Sequence, residues 1–317
     1  MNIIGKRFWF FLLSAIIIVP GIISLLVSWV QTGTPLKLGI DFKSGTDLTL
    51  SFQPPVQESA LRQELGTLGY SDAQVQHLSS TNTSSADFLV HLPEITNDQK
   101  QTLVTNLGTA LHSTATAPEF DVVSPTVASQ TAQNATIAVV VAAVFILLYI
   151  TFAFRKMPRP LRWGTCAIIA LVHDILVVLG IFSILGWVAG VQIDSLFITA
   201  MLTVAGYSVH DTIVVFDRTR ENMIKGISGD FEEVVNFSVT QTMARSLNTS
   251  LTVFFVLLAL FLLGGITIHY FTLALLIGVA TGTYSSICNA SALLVVWEKK
   301  EWGRFIGKKP AQVEAEK

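Results

Sequence analysis

The stretch SLFITAMLTVAGYSVHDTIVVFDR, residues 195–218, decides how this chain is read. Its first fifteen residues are apolar, small or hydroxylic, and the run continues through Val214, Val215 and Phe216. That is enough for a membrane helix, which needs roughly 20 predominantly apolar residues. Yet the last nine residues hold His210, Asp211, Asp217 and Arg218. A charge at mid-bilayer costs about 2.5–3.5 kcal/mol on insertion scales, so such side chains point to function.

Composition supports the membrane reading. The 317 residues are 51% hydrophobic and 13% charged, with a mean hydropathy of +0.59. Soluble domains carry about 25% charged residues. A net charge of −2 without a basic patch gives no sign of nucleic-acid binding. Cys166 and Cys288 both fall in apolar stretches, which argues for two small core residues over a disulfide or a metal site. No cofactor is expected.

Five further stretches are apolar enough to cross a membrane, giving six spans at 8–30, 133–154, 163–187, 195–217, 247–264 and 268–297. The first is too long for a signal-peptide core and has no clean cleavage site, so it reads as a retained anchor, with Pro20 a place for a kink. Sixteen of the twenty Lys and Arg residues lie before span one, between spans two and three, between spans four and five, and after span six. By the positive-inside rule these segments are cytoplasmic. Both termini are then inside and residues 31–128 outside. The expected domains are 1–30, the first helix; 31–128, external; 129–298, a five-helix membrane domain; and 299–317, a basic tail.

The external segment carries DLTLSF at 47–52, alternating as a half-buried strand does. Residues 56–68 have helical spacing and stop at Gly69, a C′ glycine. AQVQHL at 73–78 and ADFLVHL at 86–92 read as strands. Thr96 and Gln99 form a capping box opening a helix to about Leu111, and EFDVV at 119–123 is the last strand. The order β-α-β-β-α-β is the ferredoxin-like pattern. His77, His91 and His112 sit on different elements and read as surface or strand-face residues. The fold class is thus a polytopic α-helical membrane protein with six transmembrane helices and one external α+β ferredoxin-like domain between the first two.

Depth separates the charged residues. Asp211 lies 17 residues past Asp194, or about 25 Å along a helix. Arg245 precedes Gly264 by 19 residues, about 28 Å. If a helix from Phe231 runs straight into the fifth span, the two reach similar levels, and a pair would reduce the cost of both charges. Such a pair serves either as static glue or as a proton switch. His210 points about 100° away from Asp211 and shares a face with Asp217; it is either a titrating partner or a packing residue. Asp217 and Arg218 mark the cytoplasmic edge. Asp174, in LVHD at 171–174, lies about 16 Å past Trp163. It reads as a transport carboxylate or as a hydrogen-bonded helix contact. Gly278-x-x-x-Gly282 permits close helix approach, and Gly206 opens the polar part of span four.

Three motifs in order then resemble a known family. LGIDFKSGTDL at 38–48 is similar to the Gly-Ile-Asp-Phe-x-Gly-Gly-Thr signature of SecD and SecF, with Ser44 in place of its first glycine. GYSVHDTIVVFDRTREN at 206–222 looks like the fourth-span signature of the SecF branch, and RSLNTSLT at 245–252 like the segment that opens its fifth span; LVHD also fits. The resemblance covers nearly the whole chain. It implies a bacterial cytoplasmic-membrane subunit of the Sec translocase and no enzyme. The partners it implies are SecD, the SecYEG translocon, YajC, YidC, the translocating preproteins and the bilayer, with protons driving late steps of export. In that picture Asp211 is the membrane aspartate and Arg245 its partner. Gly39, Asp41, Phe42, Gly45 and Thr46 form the signature turn. Competing readings are an RND-type half-transporter for a lipid or small molecule, and a scaffold of the translocon that moves no protons. Neither Asp174 nor Asp211 has the Gly-x-Gly-Asp context of an intramembrane aspartyl protease.

Overall fold

The computed structural model describes residues 2–71, 73–78 and 85–302. Most of the expected basic tail, with Arg304, Lys308, Lys309 and Lys317, lies outside the described residues.

The chain begins with helix α1 (Arg7–Thr32), continuous through Pro20. After a short turn α2 (Ile40–Lys43) comes strand β1 (Gly45–Gln53). Then follow α3 (Glu58–Thr67), β2 (Gln74–Leu78), β3 (Ala86–Leu92), α4 (Asn97–Ala110) and β4 (Thr114–Val123). Four long helices come next: α5 (Pro125–Ala153), α6 (Pro160–Ala189), α7 (Ser195–Ile224) and α8 (Phe231–Leu263). The last span is α9 (His269–Ser285), a π-helical turn Ser286–Ala290, and α10 (Ser291–Glu298). Among the described residues, six helices are long and apolar enough to cross a membrane. The chain is a polytopic α-helical membrane protein.

The helices outrun the apolar windows in the sequence. α5 starts at Pro125, eight residues before the expected 133. A proline at the first helical position gives up an N–H that has no partner there anyway. The residues after it, Thr126 to Ala132, are too polar to register as a span. α8 runs unbroken from Phe231, so the span expected at 247–264 is its second half. Asp230 caps it, accepting the Glu232 N–H at 3.2 Å.

The chain divides into two compact units. One comprises Leu26–Ile137 and Phe182–Leu196. It holds a four-stranded sheet in the order β2-β3-β1-β4, every neighbouring pair antiparallel. The alternation in DLTLSF puts Leu48, Leu50 and Phe52 in the core with Phe88, Val90 and Leu92. β4 starts at Thr114, sooner than expected, because Thr114 pairs with Gln53 beyond a register shift between Thr49 and Ser51. Pro118 sits in that irregular stretch, where an edge strand tolerates the missing N–H. α3 ends at Gly69 (φ +92°), with the Tyr70 N–H on Leu65 C=O at 2.8 Å; this is a Schellman closure. α4 opens on the expected capping box of Thr96 and Gln99.

The other unit comprises the chain up to Leu25, Ala138–Ile181 and the chain from Phe197 onward. Its core joins Phe154, Trp163 and Phe216, the Phe154 and Trp163 rings stacked at 5.3 Å. Glycines set the helix spacing. Gly21 on α1 faces Gly180 on α6, where a Cβ on either would meet the other's Cα. Gly278 on α9 packs against Val204 on α7, and Gly282 against Ser208. The Gly278-x-x-x-Gly282 motif is therefore a true close contact.

Candidate functional site

α7 has two polar faces. One is buried and carries Ser208, Asp211 and Thr212. The other is exposed and carries Thr203, Gly206, His210 and Asp217. Successive residues diverge by about 100°, so His210 points out while Asp211, 2% exposed, points in.

Asp211 is loosely held. The Ser250 hydroxyl of α8 lies 3.4 Å from its Oδ2 and also 2.8 Å from the Ser246 carbonyl. One proton cannot serve both well, and the shorter contact takes most of it. Ser250 in turn accepts from Tyr207 at 3.0 Å and Thr283 at 2.6 Å. His210 Nδ1 stands 3.9 Å from Asp211 Oδ1.

The expected Asp211–Arg245 contact is not present. Among the described residues no ion pair within 4.0 Å joins them; Arg245 acts on Asp211 only through space. The reason is helical phase. Ser250 faces Asp211, and five residues along a helix is about 140° of rotation, so Arg245 turns outward. Its exposed stripe on α8 includes Gln241, Asn248 and Thr252.

Asp174 on α6 is held quite differently. It is fully buried. Its Oδ2 accepts Ser208 at 2.5 Å and Ser285 at 2.6 Å, and its Oδ1 lies 2.9 Å from His173 Nδ1. Nearby, Thr212 and Ser286 pair at 3.0 Å. These hydroxyls were not singled out from the sequence. Their signal was the run of Ser and Thr in otherwise apolar spans, in GYS at 206–208, TGTYSS at 281–286 and NTS at 248–250.

Asp217 and Arg218 belong to exposed ion pairs at the end of α7. Asp217 pairs with Arg220 and Arg218 with Glu221, while Arg218 also bonds Gln241 at 2.6 Å. Asp217 and His210, seven apart, are both on the outer face, as their spacing predicts.

The signature turn is built as an anchor. Asp41 Oδ2 accepts the Ser195 N–H at 2.7 Å, so a carboxylate caps the first turn of α7, where the helix dipole favours it. Gly39 N–H bonds Ile193 C=O at 2.8 Å, and Ile193 N–H bonds Lys37 C=O at 2.9 Å. A Cβ on Gly39 would lie 3.1 Å from that Ile193 oxygen. Phe42 is half-buried, with its N–H on Gly39 C=O. Thr46 Oγ1 accepts the Ile95 N–H at 3.1 Å. Ser44 takes the positive φ of its place (φ 65°, ψ 166°), followed by Gly45 at φ 127°. The turn therefore keeps its shape despite the missing glycine.

Cys166 and Cys288 are both free. Among the described residues, no three His, Cys, Asp or Glu side chains gather as a metal site.

Two family descriptions match the chain: "Protein export membrane protein SecD/SecF, C-terminal" over residues 103–300, and "SecD/SecF GG Motif" over 29–56. The chain is 46% identical over 311 residues to a protein translocase subunit SecF of Thermobaculum terrenum, covering 96% of each. It is 43% identical to that of Anaerolinea thermophila, covering 98% of this chain and 99% of the other. Among solved structures it is similar to the crystal structure of SecDF, a translocon-associated membrane protein, from Thermus thermophilus. That match has a TM-score of 0.80 and 33% identity over 94% of this chain, which spans 38% of the SecDF chain.

Proposed function

This chain belongs to the SecD/SecF family of protein-export membrane proteins, and on that footing we propose that it is a SecF-type accessory subunit of the Sec translocase. It works beside SecD in the bacterial cytoplasmic membrane, where the proton-motive force promotes export of preproteins. It is a transport subunit and not an enzyme. Both termini face the cytoplasm, an orientation supported by the sixteen basic residues of the inner segments. Residues 31–128 form the external domain, whose strand order fits the ferredoxin-like layout. Residues 129–298 form the five-helix membrane domain, and 299–317 a cytoplasmic tail.

The observation that carries the reading is Asp211, buried yet bonded only at 3.4 Å by a hydroxyl engaged elsewhere. A carboxylate so weakly committed can take up and give back a proton with little rearrangement. Protonation removes one charge from the α7–α8 seam and the through-space pull of Arg245 on it. Each charge crossing 100 mV gains about 2.3 kcal/mol. That suffices to reset a helix equilibrium of a few kcal/mol.

Two exposed polar stripes support SecD as the partner. Thr203, Gly206, His210 and Asp217 on α7, and Gln241, Arg245, Asn248 and Thr252 on α8, face out of this chain. Side chains of this kind within a span seldom face lipid. Gly206 has nothing within 4 Å of where a Cβ would be, so it admits a helix from outside. In the Thermus relative the matched part is 38% of one longer SecDF chain, which supports a SecD part lying alongside. The same relative's description as translocon-associated supports a place beside the translocon.

The test is Asp211→Asn in cells or vesicles that carry SecD, with export followed as the proton gradient is varied. Loss of the gradient-dependent part is expected. Export at the wild-type rate at every gradient would sink the proton role of Asp211, as a scaffold that moves no protons predicts. Co-purification with a lipid or an outer-membrane channel instead of SecD would favour a half-transporter.

A further inference from the structure

Beside Asp174 lies a second set of buried polar side chains, supplied by α1, α6, α9 and the π turn. Asn289 Nδ2 donates to Ser14 Oγ at 2.8 Å, and Ser14 Oγ lies 3.3 Å from the Tyr284 hydroxyl. Tyr284 donates to the Phe10 carbonyl at 2.7 Å. Its single proton is used there, so Ser14 donates to Tyr284 and the chain runs one way, from Asn289 to Phe10. The Tyr284 ring packs on the His173 ring, centroids 6.2 Å apart.

Two buried polar atoms of this set have no hydrogen-bond partner among the described residues: His173 Nε2 and Asn289 Oδ1. Their chemistry is the same. His173 Nδ1 lies 2.9 Å from Asp174 Oδ1; opposite an ionised Asp174, Nδ1 carries the hydrogen and Nε2 of the neutral ring accepts. Asn289 Oδ1 also accepts. Buried acceptors without donors are rare in folded proteins. A hydrogen-bond donor such as water would satisfy either acceptor, whereas a proton on Nε2 would make that nitrogen a donor.

We propose that His173 is a proton-binding residue of the membrane bundle, exchanging its proton with water at Nε2, and that Asp174 is its positioning carboxylate. Ser208 and Ser285 both donate to Asp174 Oδ2, which leaves Oδ1 turned to the imidazole. In that role Asp174 holds the ring in one tautomer and orientation, as a carboxylate behind a catalytic histidine does. The step is a simple exchange: the Nε2 lone pair takes a proton from a hydronium, leaving water, and returns it by the reverse path. The ionisable groups facing His173 are Asp174 on its own helix and Tyr284 from α9, with Cys288 acting on Tyr284. α1 and α7 bring Ser14 and Ser208, which do not ionise. The inference rests on the proton-driven reading above. It adds a second centre on α6 to the Asp211 centre on α7.

The first test is nitrogen NMR of the histidine rings in the full chain in lipid nanodiscs. Two forms of the His173 ring should be seen as the pH is varied, the neutral tautomer with Nε2 bare and the imidazolium. Asp174→Asn should let the neutral ring take both tautomers, since the carboxylate that holds the hydrogen on Nδ1 is gone. A His173 ring that stays neutral at every pH, or a single tautomer that Asp174→Asn leaves unchanged, would overturn the proposal. The second test is export with SecD present. His173→Gln keeps a donor for Asp174 but takes no proton, and should lose gradient-driven export; wild-type export overturns the proposal. The Asp211→Asn arm separates the two readings. A defective Asp211→Asn with a normal His173→Gln sinks only this inference, whereas a normal Asp211→Asn sinks the proton-driven reading itself.

Discussion

Asp211 looks into the helix bundle and Arg245 looks out of it. The carboxylate meets Ser250 on the inner face of α8, and the guanidinium lies about 140° around the same helix. Arg245 is thus free to serve a group on another chain while it still acts on Asp211 through space. Arg245→Ala should leave the thermal stability of this chain in detergent within about 0.5 kcal/mol of wild type, as surface changes do. It should nonetheless impair export with SecD present. A large drop in melting temperature would show that the arginine holds the bundle together.

Ser44 stands in a backbone region with φ 65° and ψ 166° that is almost confined to glycine. Ser44→Gly should therefore stabilise the chain by about 1 kcal/mol, read as a higher melting temperature. Gly45→Ala should do the opposite. Its φ is 127°, and an added Cβ would lie 2.6 Å from the Leu92 carbonyl oxygen.

Gly278 and Gly206 make a matched pair of probes. A methyl on Gly278 would enter the Val204 side chain, so Gly278→Ala should destabilise by about 1–3 kcal/mol through overpacking. Gly206 has nothing within 4 Å. Gly206→Ala should leave the isolated chain unchanged or slightly more stable, and should weaken co-purification with SecD. Equal recovery of SecD with the variant would argue that its helix does not pack there.

Arg7, 3% exposed, sits between Glu232 and Glu301 and joins the ends of three spans. Arg7→Met removes a cation from beside both acids and should cost about 3 kcal/mol, although Glu232 keeps Lys299 at 2.7 Å. Adding Glu301→Gln should recover part of the loss, since it removes the more deeply buried of the two negative charges. Thermal unfolding of the single and double variants tests this coupling.

The spans, the strand order and both helix caps were legible because each rests on local chemistry: apolar length, alternation, and Thr96 with Gln99 or Gly69 at an element's end. Gly278 and Gly282 were also legible, because a four-residue glycine spacing has few other uses in a span. Whether Asp211 touches Arg245 was not legible, because counting residues gives depth but not phase. Depth placed both residues at similar levels, whereas the rotation of α8, set by Ser246 and Ser250 packing inward, turned the arginine away. The cage around Asp174 was invisible for a related reason. Ser208 and Ser285 are 77 residues apart in sequence, and hydroxyls are common enough in membrane helices that none stands out alone. The anchoring role of Asp41 needed knowledge that the chain before Ser195 doubles back against residues 37–39.

The π turn at Ser286–Ala290 gives the last span one residue more than an α-helix would accommodate over that length. Such a surplus residue is a defect that can travel. If it moved one turn toward α9, the residues it passed would rotate by about 100° each relative to the helix end behind them. Ser285 and Ser286, now divided between Asp174 and Thr212, stand at the edge of that turn and would swing the same way round the helix, one serine into the direction the other had held. A surplus residue at this point would let the sixth span re-aim its hydroxyls between buried partners.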